Sequence, residues 1–125
     1  MPPKRVLIVD DEEHIREVAA ASLELTAGWE IRQAGSGTEG IALANSWRPD
    51  AVLLDVMMPD MDGPAAFARL QADARTCNIP VVFLTAKVQA SDRHRYTCLG
   101  VKGVIAKPFD PLGLAARMSE ILGWK

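Results

Sequence analysis

The 125-residue chain has little cysteine, little net charge and no long apolar run, and each shortage removes a class of function. Cys77 and Cys98 lie in segments expected to be a loop and a helix, without CxxC spacing or neighbouring histidine partners, so they read as free thiols with neither a redox nor a metal role. Fourteen Lys and Arg stand against sixteen Asp and Glu, a formal net charge of -2. Nothing draws the whole domain toward nucleic acid or anionic lipid, and any charge-based function is local. No stretch nears the roughly 20 apolar residues of a membrane span, and Met1-Pro2-Pro3-Lys4-Arg5 leads into about five apolar residues, too few for a signal peptide. The expected location is cytoplasmic, with no membrane insertion. Repeats, linkers and low-complexity segments are absent, and Gly35-Ser36-Gly37 lacks the spacing of a nucleotide-binding loop. What remains is one domain, 49% hydrophobic, able to build a core without disulfide or metal staples.

Four continuous apolar runs, 6–9, 51–54, 81–84 and 104–106, have the composition of strands buried on both faces, as in a parallel sheet between helical layers. Residues 29–34 alternate apolar with polar and predict a half-exposed edge strand. Between the runs come helical periods. Ile15, Val18, Ala19, Ser22 and Leu23 form one stripe, with Gly28 placed to stop it. Ser36 to Glu39 has capping-box spacing ahead of a buried face of Gly40, Leu43, Ala44 and Trp47. Asp62-Gly63-Pro64 opens a helix carrying Ala66, Phe67, Leu70 and Ala74, and Asp110-Pro111 is read as the start of the last one, with Leu114, Met118, Ile121 and Leu122 inward. The stretch from about Lys87 to Leu99 has few large apolar residues and predicts the least firmly packed helix. Trp29 and Trp47 read as packing residues, and Trp124 as near a fraying end. Strict βα alternation predicts an α/β three-layer sandwich, a five-stranded parallel sheet in order 2-1-3-4-5 with helices on both faces. Ligands of such sheets bind beyond the carboxyl ends of the strands.

At those ends stand Asp10 and Asp11, Asp55, Thr85 and Lys107. Three clustered carboxylates repel, by on the order of 4 kcal/mol for two charges about 4 Å apart at an effective dielectric near 20. Mg²⁺ suits such a set, because it takes carboxylates, a carbonyl, waters and a phosphate oxygen. A hydroxyl and an ammonium opposite are donors for an anionic tetrahedral group. The chemistry this implies is phosphoryl transfer onto a carboxylate, with Asp55, at the end of the central strand, as nucleophile.

The chain resembles the receiver domains of two-component response regulators, of the chemotaxis-regulator kind. The resemblance is carried by Val6-Leu7-Ile8-Val9-Asp10-Asp11-Glu12, by Leu53-Leu54-Asp55-Val56-Met57-Met58-Pro59-Asp60-Met61-Asp62-Gly63, by Leu84-Thr85-Ala86 and by Lys107-Pro108-Phe109. It implies a single flavodoxin-like receiver domain over residues 1–125, with its core at about 4–123. It implies that Asp55 accepts a phosphoryl group from a histidine kinase or histidine phosphotransfer protein, with small phosphodonors as substitutes. Asp11, Asp55 and the backbone carbonyl of Met57 would hold Mg²⁺, with Asp10 acting mostly through a bound water. Thr85 would bond a phosphoryl oxygen, and Lys107, before a cis Pro108, would bridge to the carboxylate or phosphoryl group. The implied role is a switch acting on a downstream protein target or output domain, not an enzyme on other substrates. Direct nucleic-acid binding is not expected.

One position departs from the family: an aromatic residue that swings inward with the threonine often stands three before the lysine, and here it is Val104, which cannot perform that motion. Met57 and Lys87, two beyond Asp55 and Thr85, border the family's route for hydrolytic water. A Mg²⁺-dependent phosphohydrolase with an aspartyl nucleophile is the alternative, but it usually carries a second acid where Met57 stands, and a cap insertion. A phosphorylation-independent interaction module is the other; the complete set of five polar residues argues against it. His14 and His94 read as solvated surface. Arg93-His94-Arg95 with Lys87 and Lys102 reads as a solvated face, with an acidic partner as the alternative.

Overall fold

The structure, a computed structural model, describes residues 2–86 and 89–124. Its elements alternate: β1 (Arg5–Val9), α1 (Glu13–Ala27), β2 (Glu30–Ala34), α2 (Gly37–Trp47), β3 (Ala51–Asp55), α3 (Gly63–Ala72), β4 (Val81–Thr85), α4 (Ala90–Leu99), β5 (Gly103–Ala106) and α5 (Leu114–Leu122). The strands form one parallel sheet in the order β2-β1-β3-β4-β5, as the pattern predicts.

The continuous apolar runs are continuous because both of their faces are covered. Leu7, Val9, Val52, Leu54, Val81, Phe83 and Val104 point into one core with Ala44, Trp47, Phe67, Leu70 and Tyr96 from α2, α3 and α4. Val6, Ile8, Leu53, Val82, Leu84 and Ile105 point into the other with Leu23, Leu114 and Met118 from α1 and α5. The alternating strand β2 is an edge, paired with β1 alone. Gly28 ends α1 in the left-handed conformation, at φ 69°, and its N–H donates to the Glu24 carbonyl. At Gly40 a Cβ would stand 2.7 Å from Val9 Cγ2, so the absence of a side chain is what lets α2 lie close on β1.

Several local expectations are corrected. Asp110-Pro111 does not start the last helix: Asp110 accepts from the Leu112 and Gly113 amides through its side chain and carbonyl, making a turn, and α5 begins at Leu114. The Ser36 side chain accepts from the Glu39 amide as expected, but Glu39 Oε1 accepts from Gly35 N at 2.6 Å, one residue before the cap. Ala74 lies exposed beyond the end of α3. Trp124 is no frayed end: its ring meets Trp29 edge-on at 5.2 Å, with Lys4 Nζ 4.8 Å over it. Trp47 is buried, flanked by the Arg5 and Arg32 guanidiniums at 4.4 and 5.0 Å. The helix expected from about Lys87 starts at Ala90; Lys87 and Val88 lie outside the described residues. It buries Tyr96 and leaves Leu99 exposed.

Candidate functional site

Parallel pairing in register carries the polar strand ends to one edge. Val9 pairs with Leu54, Asp55 with Leu84 and Thr85 with Ala106, so the residues at and just after these positions share one rim. Asp10 follows β1, Asp55 and Thr85 are the last residues of β3 and β4, and Lys107 follows β5. Asp10, Asp55 and Thr85 are buried, which polar side chains tolerate only with partners.

The geometry gives the acids a common centre. One carboxylate oxygen each from Asp10, Asp11 and Asp55 lies within 4.8 Å of the other two, with Asp11 exposed. The Lys107 ammonium stands 2.8 Å from Asp10 Oδ2, 3.2 Å from Glu12 Oε1 and 3.4 Å from Asp55 Oδ1. Asp10 Oδ1 accepts from the Glu12 amide at 2.9 Å, whereas buried Asp10 Oδ2 has no well-aligned hydrogen bond and only the ion pair to Lys107. An acidic trio fits a hard divalent cation, because three carboxylates exceed the charge that one ammonium balances. Asp55 Oδ1 also lies 3.4 Å from the Met57 amide. The Met57 side chain points to solvent, 57% exposed.

The charges show in the titration. Burial, then the neighbouring Asp10 carboxylate, pushes the Asp55 carboxyl up from 3.8 to about 7, against the opposing pull of Lys107 and the Met57 amide. Burial disfavours the Lys107 ammonium, but Asp10, Asp55 and Glu12 outweigh it and hold its pKa above the ordinary range.

The loop behind Asp55 is pinned at both ends. Asp60 accepts from the Gly37 and Thr38 amides and from Thr38 Oγ1, at 3.1–3.2 Å, and so caps α2 from another segment. Those amides, Thr38 first, hold its carboxyl below the usual range. Asp62 caps α3 by accepting from Ala65 N at 2.8 Å. The Lys107–Pro108 peptide bond is cis, and the Lys107 amide donates to the Thr85 carbonyl at 2.9 Å. Beside the carboxylates, not over them, lies a groove of about 770 Å³ lined by Val56, Met57, Pro59, Tyr96 and Leu99 among others.

The rim thus brings together Asp10, Asp11, Asp55 and Lys107, and places Thr85 beside them at the end of the neighbouring strand. Sequence reasoning missed Glu12 as a partner of Lys107. It also missed that His94 Nε2 stands 3.7 Å from Cys98 Sγ, a spacing of four on one helix, although both residues are exposed. His14 is exposed too. Of the arginines in the 93–95 patch, Arg93 donates to the Val104 carbonyl, and Arg95 pairs with Asp92 and the Tyr96 hydroxyl. Val104 is buried in the core that also holds Phe83 and Tyr96, which meet edge-on at 5.1 Å.

Residues 6–119 match the family described as the response regulator receiver domain. The chain is 39% identical over 118 residues to the DNA-binding dual master transcriptional regulator RpaA of Synechocystis, covering 94% of this chain and 48% of that protein. It is 38% identical over 122 residues to the phosphate regulon transcriptional regulatory protein PhoB of Pseudomonas aeruginosa, covering 98% and 53%. The chain therefore spans about half the length of these curated relatives. Among solved structures, the chemotaxis protein CheY4 of Vibrio cholerae superposes with a TM-score of 0.88 at 28% identity, covering 95% of this chain and 98% of that one. No helix among the described residues is long and apolar enough to cross a membrane. With the family matched across nearly the whole chain, on the same sheet and with an acidic trio and a lysine at its carboxyl edge, the chain belongs to the response regulator receiver domains of two-component signalling systems.

Proposed function

We propose that this receiver domain accepts a phosphoryl group on the Asp55 carboxylate in a Mg²⁺-dependent reaction, and that the modified domain switches a protein-interaction surface. The phosphoryl donor is a phosphohistidine of a histidine kinase or histidine phosphotransfer protein. An O–P bond forms at Asp55, the N–P bond of the donor breaks, and the freed imidazole nitrogen leaves as the neutral base or takes up a proton from solvent. The observation that carries the reading is the placement of Asp55: a buried carboxylate at the end of the central strand, 3.4 Å from an ammonium and within an acidic trio.

Asp10, Asp11, Asp55 and the Met57 carbonyl are the residues that would hold Mg²⁺. The chemistry such an ion supplies when bound is charge neutralisation, which keeps Asp55 ionised and favours the approach of an anionic phosphoryl group. Lys107 and Thr85 do the rest from the protein side. The ammonium turns from Asp10 toward the new phosphoryl oxygens, and the hydroxyl at the end of β4 donates to one of them. The added charge, about 1.5 to 2 negative units, is the signal the fold reads. Residues 4–123 form the core of this unit, and a downstream protein target or output domain reads it. RpaA is described as DNA-binding, and the receiver reading assigns nucleic-acid contact to an output partner, not to this domain.

Intact-protein mass spectrometry after incubation with acetyl phosphate tests the reading. One phosphoryl adduct is expected with Mg²⁺, none without it, and none on Asp55→Asn. Uptake by that variant would place the acceptor elsewhere.

A further inference from the structure

Lys107 is held from three sides, and one holder lies outside the residues assigned so far. Asp10 and Asp55 belong to the acidic trio, and their charge is shared with any cation bound there; Glu12 lies outside that trio. Its side chain is 60% exposed, yet Oε1 reaches the Lys107 ammonium at 3.2 Å across 95 residues of sequence. Glu12 occupies the cap position of α1 but makes no side-chain bond to its own helix. Its backbone amide instead donates to Asp10 Oδ1 at 2.9 Å. One residue therefore fixes the carboxylate of Asp10 through its main chain and the ammonium of Lys107 through its side chain.

We infer that Glu12 is a positioning residue that shares the Lys107 ammonium with Asp10 and Asp55 in the unmodified domain, so that an arriving phosphoryl group competes with the Glu12 carboxylate for it. The inference rests on the reading of Asp55 as phosphoacceptor. The competition is uneven: the doubly charged phosphoryl group outweighs a carboxylate, and Glu12 is released to solvent once Asp55 is modified. Because the pair is largely exposed on the Glu12 side, its hold tunes the reaction by a few-fold and does not block it.

Two variants separate contact from charge. Glu12→Gln removes the charge; Glu12→Asp keeps it but is one methylene too short for the contact. Both are expected to raise the rate of phosphoryl uptake from acetyl phosphate, and the affinity for beryllofluoride, by about two- to fivefold. A Glu12→Asp variant indistinguishable from wild type would overturn the inference, because long-range charge alone would then suffice. A second readout needs no metal: in the metal-free protein, Glu12→Gln and Lys107→Ala should shift the urea unfolding midpoint non-additively. Strictly additive shifts would overturn the contact. If the wild type itself takes up no phosphoryl group, the acceptor reading fails and the inference falls with it. A competent wild type with unchanged Glu12 variants defeats the inference alone.

Discussion

Asp55 is a carboxylate kept in an environment that resists its charge, and that conflict is measurable. Its carboxyl titrates near 7 in the folded protein against 3.8 when free, so the folded state holds the proton more tightly. From about pH 4, where the unfolded chain releases that proton, up to about pH 7, its contribution to stability falls as pH rises. Metal-free Asp55→Asn should accordingly be more stable than wild type at pH 8, by up to about 4 kcal/mol, with the gap closing toward pH 4. Urea titrations at the two pH values check this, and an equal stability at pH 8 would contradict the burial argument. At this scale the sequence was informative wherever a polar residue ended a buried run: Asp10, Asp55, Thr85 and Lys107 stand out because apolar strands stop at them. Glu12 was illegible for the opposite reason. Its partner is 95 residues away, and an acid at a helix start already has a local explanation in the helix dipole.

Elements fit here by close approach, and two substitutions probe it. Gly40→Ala would place a methyl 2.7 Å from Val9 Cγ2, forcing α2 off β1. The expected loss is about 1–3 kcal/mol in thermal or urea unfolding, and it should add less than fully to that of Val9→Ala. Strictly additive losses would mean that the strain lies elsewhere. Val104→Tyr, which restores the aromatic frequent in the family, meets a core already filled by Phe83 and Tyr96. It should also cost about 1–3 kcal/mol, because Phe83 and Tyr96 already fill the core around this position. A stable Val104→Tyr protein would show that the space exists. Helix existence and phase were legible from periodicity, but ends set by non-local or turn chemistry were not. Asp60 caps α2 from the β3–α3 loop, 23 residues along, which no local spacing announces. Asp110-Pro111 has the residues of a helix start, and the backbone spends them on a turn.

The whole molecule is a sheet covered on both faces, with Asp10, Asp55, Thr85 and Lys107 gathered at one edge, and the two features have one origin. Buried parallel strands must be apolar throughout, so charge collects where they stop. That is why fold class and strand order are legible in the pattern of apolar runs. The Trp29–Trp124 contact is not, since a residue next to the chain end offers no periodicity. A divalent ion that binds the folded trio and not the unfolded chain must stabilise the molecule by mass action. Millimolar Mg²⁺ should raise the melting temperature of the wild type, and Asp11→Asn should lose most of that rise while its metal-free melting temperature is no lower than that of the wild type. A full Mg²⁺ response in Asp11→Asn would place the ion elsewhere. The central claim, that Asp55 is the phosphoacceptor, is tested most directly by borohydride reduction of the phosphorylated protein followed by peptide mapping. An acyl phosphate at Asp55 is reduced to homoserine at position 55 and nowhere else. Homoserine at position 10 or 11, or a phosphoryl group resistant to borohydride, would contradict the account.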